Sequence, residues 1–236
     1  IPLLHNVSGY AKSGEMLALL GATASSKTTL LNTLYGINNN TTGLVTGTIQ
    51  LNDTLVFHKS LSHNPDEMKF PKYLENRKLY EWNSTIGYAE QHTHLYPYDT
   101  VYNTLLFAAR MKLPYLSKNY FSSSNSSQAL HTLVLEVMDI LGITSIQNMI
   151  VGSPQSPSLS PSQLKLLSIG EILIGNPAII MLDEPTSGLS SQEAYTVISC
   201  LRRIADAGRT IIVTIHQPSS SIFYMFDTLL LLASGG

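Results

Sequence analysis

The sequence predicts an α/β fold in which a mostly parallel β-sheet carries helices on both faces, with a helical segment inserted into it. Two observations support this prediction. Short, continuous apolar runs of strand length alternate along the chain with segments of helical periodicity. Residues 93–175 interrupt the alternation, because they contain helical patterns and no such apolar run. The chain has 236 residues, which is enough for one large domain with a substantial core.

The first elements follow from local sequence patterns. Residues 15–20 (EMLALL) form a short apolar run and predict a buried strand. Residues 27–35 (KTTLLNTLY) predict a helix, and Gly36 is placed to cap its C-terminus. Alternating apolar and polar residues predict a strand at 45–51, and another short strand is expected at 84–89.

Residues 58–82 differ in character from the rest of the chain. These 25 residues hold 9 of the 30 charged side chains and two prolines. We interpret them as an exposed insertion. A solvated loop without chemistry is the simpler interpretation, and a functional role stays open.

The second half of the chain is predicted to continue the same alternation. Helical periodicity predicts helices at residues 101–111, 128–141, 162–174 and 191–207. We expect the first of these to end before Pro114, and the serine-rich residues 122–127 to form a flexible link. Continuous apolar runs predict buried strands at residues 178–182, 210–215 and 228–233.

The composition restricts the classes of function. Charged residues make up 13% of the chain and the formal net charge is −2, so no strongly basic surface is available for binding nucleic acid. Cys200 is the only cysteine, which excludes an internal disulfide and a cysteine-based metal site. No apolar run reaches the roughly 18 residues that a membrane-spanning helix needs.

A candidate phosphate-binding loop, GATASSKT at residues 21–28, follows a predicted strand and opens a predicted helix. It matches the P-loop pattern G-x-x-x-x-G-K-[ST], except that Ser26 replaces the second glycine. Helix N-terminal N–H groups would face the phosphates, Lys27 would reach the β- and γ-phosphates, and Thr28 would bind Mg²⁺. A left-handed conformation at Ser26 would cost about 1–2 kcal/mol. Taken alone, the segment could also be an ordinary polar turn.

Polar residues also follow three other predicted strands, at the edge of the sheet where doubly wound folds bind ligands. Asp183 could hold the shell of a Mg²⁺ ion, and Glu184 could polarise an attacking water. Gln91 could reach Mg²⁺ or water, and His216 is placed to contact a γ-phosphate. Each could separately be a structural or solvated residue. Their occurrence in this order at successive strand ends is a much rarer coincidence.

Five segments together resemble the nucleotide-binding domain of an ATP-binding cassette (ABC) transporter of the G subfamily, the white and pleiotropic-drug-resistance type. They are VSGYAKSGEMLALLG, AARMKLP, LDEPTSGL, GRTIIVTIHQPSSSIF and FDTLLLLASGG, and the resemblance runs nearly end to end. It implies a P-loop NTPase (RecA-like) core at residues 1–92 and 176–236, with an all-helical subdomain at residues 93–175. It also implies ATP and Mg²⁺ as cofactors.

The resemblance assigns roles to individual residues. It implies that Gln91 is the Q-loop glutamine, which with Thr28 and Asp183 serves the metal, and that Asp183 is the Walker B aspartate. Glu184 becomes the catalytic glutamate and His216 the H-loop histidine. The Walker A residues are Gly21, Ala22, Thr23, Ala24, Ser25, Ser26, Lys27, Thr28 and Thr29.

The resemblance also implies partners, namely transmembrane domains and a second nucleotide-binding domain. The chain would be a fragment of a multi-pass membrane transporter, with this domain on the cytoplasmic side. In the family each ATP lies between the Walker A loop of one domain and the signature motif of the other, usually LSGGQ. Here residues 159–163 read LSPSQ, and residues 187–190 read SGLS where the family has SGLD. Pro161 has no N–H to offer a phosphate.

These departures lead to alternative hypotheses. Groups that act on the chain's own ATP are present, whereas those offered to a partner's ATP are altered, so we expect an asymmetric pair that hydrolyses ATP to power export. A heterodimer, or two unlike halves of one polypeptide, is favoured over a homodimer. The alternative is an ATP-binding regulatory half that clamps without turnover. A soluble ABC protein of translation or repair is a third hypothesis, disfavoured by the low charge.

Overall fold

A computed structural model gives the fold of the chain and describes residues 3–36, 46–52, 54–59, 85–92, 94–116, 126–153 and 156–233. The strands are β1 Met16–Gly21, β2 Gly47–Leu51, β3 Thr54–Lys59, β4 Ile86–Ala89, β5 Gly152–Ser153, β6 Ser156–Pro157, β7 Ile179–Asp183, β8 Thr210–Thr214 and β9 Thr228–Leu232. The helices are α1 Lys27–Tyr35, α2 Val101–Leu116, α3 Ser126–Leu141, α4 Pro161–Leu173, α5 Ser191–Asp206 and α6 Ser220–Phe223. A 3₁₀ turn spans Thr144–Ile146.

The main sheet has five strands in the order β4-β7-β8-β1-β9, and every neighbouring pair is parallel. This confirms the predicted parallel α/β fold. The strand order brings the ends of β4, β7, β8 and β1 side by side, so residues that follow these strands meet at one edge. In the register of β7 with β8, Asp183 lies opposite Thr214. The strands β2 and β3 form a separate antiparallel pair.

Alternating residues of the sheet face two cores, as expected for a sheet covered on both sides. In β1, Met16 and Ala18 pack with the larger core that includes α2 to α5. Leu17 and Leu19 face the smaller core, in which they pack with residues of α1. This packing holds helix α1 against β1, the strand that precedes the P-loop.

Several predicted boundaries differ from the structure. The prediction that the first long helix ends before Pro114 is wrong, because α2 continues to Leu116. Pro114 removes a single hydrogen bond near the end of a helix whose earlier turns are buried, and that loss is tolerated there. Helix α3 begins at Ser126, so it takes the last two residues of the predicted link. The rest of that link, residues 122–125, lies outside the described residues.

The segment between the core strands contains more than helices. Besides α2 to α4 it includes the short antiparallel pair β5–β6, and a bridge joins Thr100 to Ile150. Of the charged insertion, only His58 and Lys59 are described, and they end β3; residues 60–82 lie outside the described residues. None of the helices that the structure describes is long and apolar enough to span a bilayer.

Candidate functional site

The predicted site residues lie together at the carboxyl edge of the sheet. The P-loop leaves β1, Gln91 follows β4 by two residues, Asp183 ends β7 and Glu184 comes next. His216 follows β8 by two residues. The residue between them, Ile215, donates its N–H to the carbonyl oxygen of Leu19 at 3.1 Å. The sheet order therefore converts four distant stretches of sequence into one cluster.

The P-loop has the backbone of an anion-binding loop. Ala24 and Ser26 have φ values of 64° and 63°, both in the left-handed region. This confirms the strain expected if Ser26 adopted that conformation. Ser26 precedes α1 without a side-chain hydrogen bond to it, so no side chain of this residue occupies the first N–H groups of the helix. Those N–H groups and the helix dipole favour a phosphate at this position.

Gly21 is required by the path of the loop. A Cβ atom built on Gly21 would lie 2.4 Å from Oγ of Ser25 and 2.5 Å from the carbonyl oxygen of Leu232. Both distances are far shorter than a van der Waals contact, and the second neighbour is backbone that cannot move aside cheaply. The turn from β1 into the loop therefore accepts glycine alone.

The Lys27 side chain is buried, with 6% of its surface exposed. Its ammonium group donates hydrogen bonds to the carbonyl oxygens of Gly21 at 2.9 Å and Ala22 at 3.0 Å. The positive charge is thus held across the mouth of the loop. A buried ammonium with only neutral acceptors favours an anionic ligand beside it.

We expect the substitution Ser26→Gly to stabilise the protein. Glycine relieves the left-handed strain, which costs about 1–2 kcal/mol for an L-residue, and loses about 0.5–1 kcal/mol of that gain to backbone entropy. The free energy of unfolding, measured in urea, should therefore rise by roughly 0.5–1 kcal/mol. The matched control Ser168→Gly, within α4, should lower it by about 0.5 kcal/mol. An S26G variant less stable than the wild type would contradict the assigned loop conformation.

Asp183 is the buried carboxylate of the site, with 4% of its surface exposed. Its Oδ1 accepts hydrogen bonds from the hydroxyls of Thr214 at 2.5 Å and Thr28 at 3.2 Å. The Asp183 carboxylate and the Thr28 hydroxyl therefore converge on one point at the N-terminus of α1. Two oxygen ligands beside a phosphate-binding loop suit Mg²⁺, which binds proteins through few carboxylates and completes its shell with phosphates and water.

Glu184 lies beside Asp183 in an unusual backbone conformation, with φ at 45°. Its N–H donates to the Thr214 hydroxyl at 2.7 Å, and its Oε2 accepts a hydrogen bond from Nε2 of Gln91 at 2.9 Å. The bond to Gln91 joins the end of β4 to the end of β7. A carboxylate held in this way can accept a proton from, and orient, a water molecule.

Lys165 of α4 connects the helical segment to this cluster. Its ammonium group donates a hydrogen bond to the carbonyl oxygen of Gln91. Burial lowers the pKa of the Lys165 ammonium, and the attraction of the nearby Asp183 carboxylate opposes that shift. Lys165 also lines a cavity of about 10 Å³ together with Asp183, Glu90 and Pro185, which is room for about one water molecule.

An open cleft of about 250 Å³ lies against the site. Thr28, Gln91 and Asp183 line it, together with Asn32 and Tyr88. Tyr88 donates a hydrogen bond from its hydroxyl to Oδ1 of Asn32 at 2.6 Å, and its ring stacks on Tyr35 with the centroids 4.9 Å apart. Burial raises the pKa of the Tyr88 phenol, and the carboxylates of Asp183 and Glu90 raise it further.

His216 stands apart from the bonded cluster. Its side chain is exposed, and its ring makes no hydrogen bond to another residue of the described ranges. The structure thus brings Lys27, Thr28, Gln91, Asp183 and Glu184 together and leaves His216 beside them. Within the described residues, no group of three or more His, Cys, Asp or Glu side chains could hold a metal by itself.

Comparison with known proteins agrees with this geometry. Residues 4–187 match the family model described as ABC transporter. The chain belongs to this family, whose domains bind nucleotide with a P-loop ATPase fold. Within the family, it is a nucleotide-binding domain of the G subfamily.

The subfamily follows from relatives that match over almost the whole chain. It is 38% identical over 234 residues to ABC transporter G family member 22 of Arabidopsis thaliana, covering 99% of this chain and 27% of that protein. It is 36% identical over 234 residues to pleiotropic drug resistance protein TUR2 of Spirodela polyrhiza, covering 99% of this chain and 14% of that protein. The chain therefore spans less than a third of the length of these relatives.

Solved structures support the fold. The chain is similar to cbiO1 of Clostridium perfringens, part of an ABC transporter complex, with a TM-score of 0.73 and 18% identity over 99% of this chain and 79% of that one. It is similar to a dimeric ATP-binding cassette bound to ADP and Pi, with a TM-score of 0.68 and 21% identity over 99% of this chain and 87% of that one.

Proposed function

We propose that this domain binds and hydrolyses ATP to drive substrate export by a G-type transporter. One observation carries the proposal: direct hydrogen bonds link Thr28 to Asp183 and Gln91 to Glu184, beside a P-loop whose lysine is buried. Phosphate-binding, metal-binding and water-orienting groups therefore meet at one edge of the sheet. The match to ABC transporters supports the same function.

Each residue has a separate task in this proposal. Lys27 and the loop N–H groups bind the β- and γ-phosphates, and the Thr28 hydroxyl and Asp183 carboxylate hold Mg²⁺. Bound Mg²⁺ neutralises charge that develops on the phosphates. Gln91 contributes to the metal side of the site, and Glu184 orients the water and accepts its proton. His216 contacts the γ-phosphate from the end of β8.

The side of the domain that would face a partner's ATP has a different character. Helix α4, whose N-terminus carries the signature sequence, begins with a reciprocal capping box between Ser160 and Gln163. The Ser160 N–H donates to Oε1 of Gln163 at 2.8 Å, and the Gln163 N–H donates to the Ser160 hydroxyl at 3.2 Å. With Pro161 at the first helical position, these side chains and the missing N–H leave few donors for a phosphate.

Glu193 adds a negative charge to the same face. Its Oε1 accepts a hydrogen bond from the Ser162 hydroxyl at 3.3 Å, and its Oε2 accepts from the Ser190 N–H at 3.0 Å and hydroxyl at 2.7 Å. Hydrogen bonds from Ser190 hold the pKa of the Glu193 carboxyl below its usual range, so this group is ionised at neutral pH. A carboxylate at the N-terminus of α4 disfavours a second anion there.

The domain is therefore one half of an asymmetric pair. Its own Walker A side hydrolyses ATP when a partner supplies an intact signature motif, and its own signature side is impaired. The partner is a different nucleotide-binding domain, either a second chain or the other half of one polypeptide. Transmembrane domains complete a multi-pass membrane transporter, with this domain on the cytoplasmic side. Nucleic acid is not a partner.

A second function is favoured by the same departures. The strained Ser26 and the LSPSQ sequence would both suit an ATP-binding half that closes on nucleotide without turnover. Such a half would regulate the transporter as a clamp. The two functions differ in whether Glu184 matters, because a clamp needs no residue that activates water.

The ATPase rate of the chain alone tests the asymmetry. Two copies of this chain have no intact signature, so we expect slow turnover. The double substitution P161G/S162G should raise the rate by at least about tenfold, because it restores the N–H that Pro161 lacks and removes the Ser162 hydroxyl that bonds to Glu193. The matched control S156G/P157G makes the same pair of changes outside the signature and should leave the rate unchanged. Strong turnover by the unmodified chain alone would overturn the asymmetric account.

A further inference from the structure

We propose that Thr214 is a positioning residue that orients both carboxylates of the site and thereby sets how strongly Mg²⁺ promotes nucleotide binding. The inference rests on the proposed function, since it concerns the metal side of the same site. Thr214 belongs neither to the P-loop nor to the polar residues that directly follow the strands. Its role comes from its place at the end of β8, beside the end of β7.

The Thr214 side chain is completely buried, with 0% of its surface exposed. The parallel register of β7 and β8 places it directly opposite Asp183. A buried hydroxyl is costly unless both its hydrogen and its lone pairs find partners. The Thr214 hydroxyl has partners for both, one on each of the two acidic residues.

The direction of these two hydrogen bonds follows from the chemistry of the partners. An ionised carboxylate can only accept, so the single hydroxyl hydrogen goes to Oδ1 of Asp183, at 2.5 Å. A backbone N–H can only donate, so the hydroxyl oxygen accepts the N–H of Glu184, at 2.7 Å. The hydroxyl therefore serves both acids at once, and no rearrangement of hydrogens serves them equally well.

The bond to Asp183 determines how that carboxylate is presented. Oδ1 is shared by the hydroxyls of Thr214 and Thr28, whereas Oδ2 accepts no hydrogen bond from another residue of the described ranges. The second oxygen is therefore available to a metal. Without the Thr214 hydroxyl, Oδ1 would keep only the longer hydrogen bond from Thr28 among the described side chains, and the carboxylate would lose the contact that fixes its orientation.

The bond to Glu184 holds a strained backbone. A φ of 45° is costly for a residue other than glycine, so it persists only where neighbouring contacts fix it. The N–H of Glu184 is fixed by Thr214 and its carboxylate by Gln91. Thr214 thus acts on the water-activating carboxylate through the backbone, and on the metal-binding carboxylate through a side-chain hydrogen bond.

The test measures ATP affinity of the full chain with and without Mg²⁺, by calorimetry, for T214V and T214S. Valine keeps the shape of threonine but removes the hydroxyl, and a lost hydrogen bond to a charged group should reduce the Mg²⁺-dependent gain in affinity about tenfold. The affinity without Mg²⁺ should not change, because Lys27 and the P-loop are untouched. T214S keeps the hydroxyl and should retain the gain.

Thr210 provides the matched control on the same strand. Its hydroxyl donates to the carbonyl oxygen of Lys12 at 3.2 Å, away from the site, so T210V should leave both affinities unchanged. In a D183N background, T214V should cause no further loss of the Mg²⁺-dependent gain, because its effect passes through Asp183. If T214V fails to fold, as judged by thermal unfolding, T214A carries the same test.

The inference would be overturned by a wild-type Mg²⁺ dependence in T214V, or by an equal loss of affinity with and without Mg²⁺. A further loss caused by T214V in the D183N background would also contradict it. Failure of the proposed function is distinguishable, since in that case the wild-type chain itself would not bind ATP.

Discussion

We expect the replacement of Glu184 with glutamine to lower ATP turnover strongly and to leave ATP affinity close to that of the wild type. Glutamine keeps the size of the side chain and an oxygen that accepts the Gln91 hydrogen bond, but it cannot take a proton from water. Loss of a general base lowers the rate by about 10²- to 10⁴-fold. The measurement is steady-state phosphate release, in the presence of the partner domain, with ATP affinity determined in parallel.

Glu136 provides a control for this substitution. It is exposed on α3, away from the site, so E136Q makes the same chemical change and should leave the rate unchanged. The same experiment separates the motor from the clamp. If the wild type with its partner already shows no turnover, and transport is the same with E184Q, the domain is a regulatory half and the hydrolytic proposal is wrong.

The second large effect is expected at Lys27. The substitution Lys27→Met removes a buried ammonium that bridges two loop carbonyls at 2.9 and 3.0 Å. It also removes the positive charge that faces the phosphates. Hydrogen bonds to charged groups contribute about 1.5–3 kcal/mol each, so ATP affinity should fall by roughly 10- to 100-fold, as measured by calorimetry.

Lys12 offers the matched control for Lys27. Its side chain is 64% exposed, pairs with Glu15 at 3.7 Å and lies 5.4 Å from the centre of the Tyr10 ring, so K12M should bind ATP as the wild type does. Thermal unfolding without nucleotide shows whether K27M still folds. A folded K27M variant with wild-type affinity for ATP would mean that the phosphates do not lie over this loop.

The fold and most of the site could be predicted from the sequence because the informative signals are local. Continuous apolar runs identify buried strands whichever strand lies beside them. In a parallel sheet, the carboxyl ends of all strands lie on one edge, so residues that directly follow strands are brought together. Gln91, Asp183 and Glu184 needed no knowledge of strand order. The strain at Ser26 was also predictable, because a P-loop has glycine at that position.

The remaining parts depend on pairing between distant segments. From the sequence, Thr214 is predicted only to be part of a buried strand. Its position opposite Asp183 depends on the register of β7 with β8. Lys165 is a polar residue in a largely apolar helix. Its hydrogen bond to the Gln91 carbonyl could be predicted only from the packing of α4 on β4. Pro114 misled the prediction of a helix end, because burial of the earlier turns outweighs one missing hydrogen bond.

The Glu193 carboxylate belongs to the same group of contacts that sequence patterns do not reveal. Its capping box with Ser190 is a local signal, visible in the spacing of the two residues. Its contact with Ser162, 31 positions earlier in the chain, cannot be predicted from sequence spacing. This contact links the signature sequence to the start of α5, and it is the structural reason to expect the two faces of the domain to differ in their affinity for anions.

Calorimetric titration of the wild-type chain with ATP, first in EDTA and then with excess Mg²⁺, tests the central claim most directly. The arrangement of Lys27, Thr28 and Asp183 predicts saturable binding of one ATP per chain that becomes tighter when Mg²⁺ is added. Absence of binding under both conditions, for a folded chain alone and with its partner domain, would contradict the account.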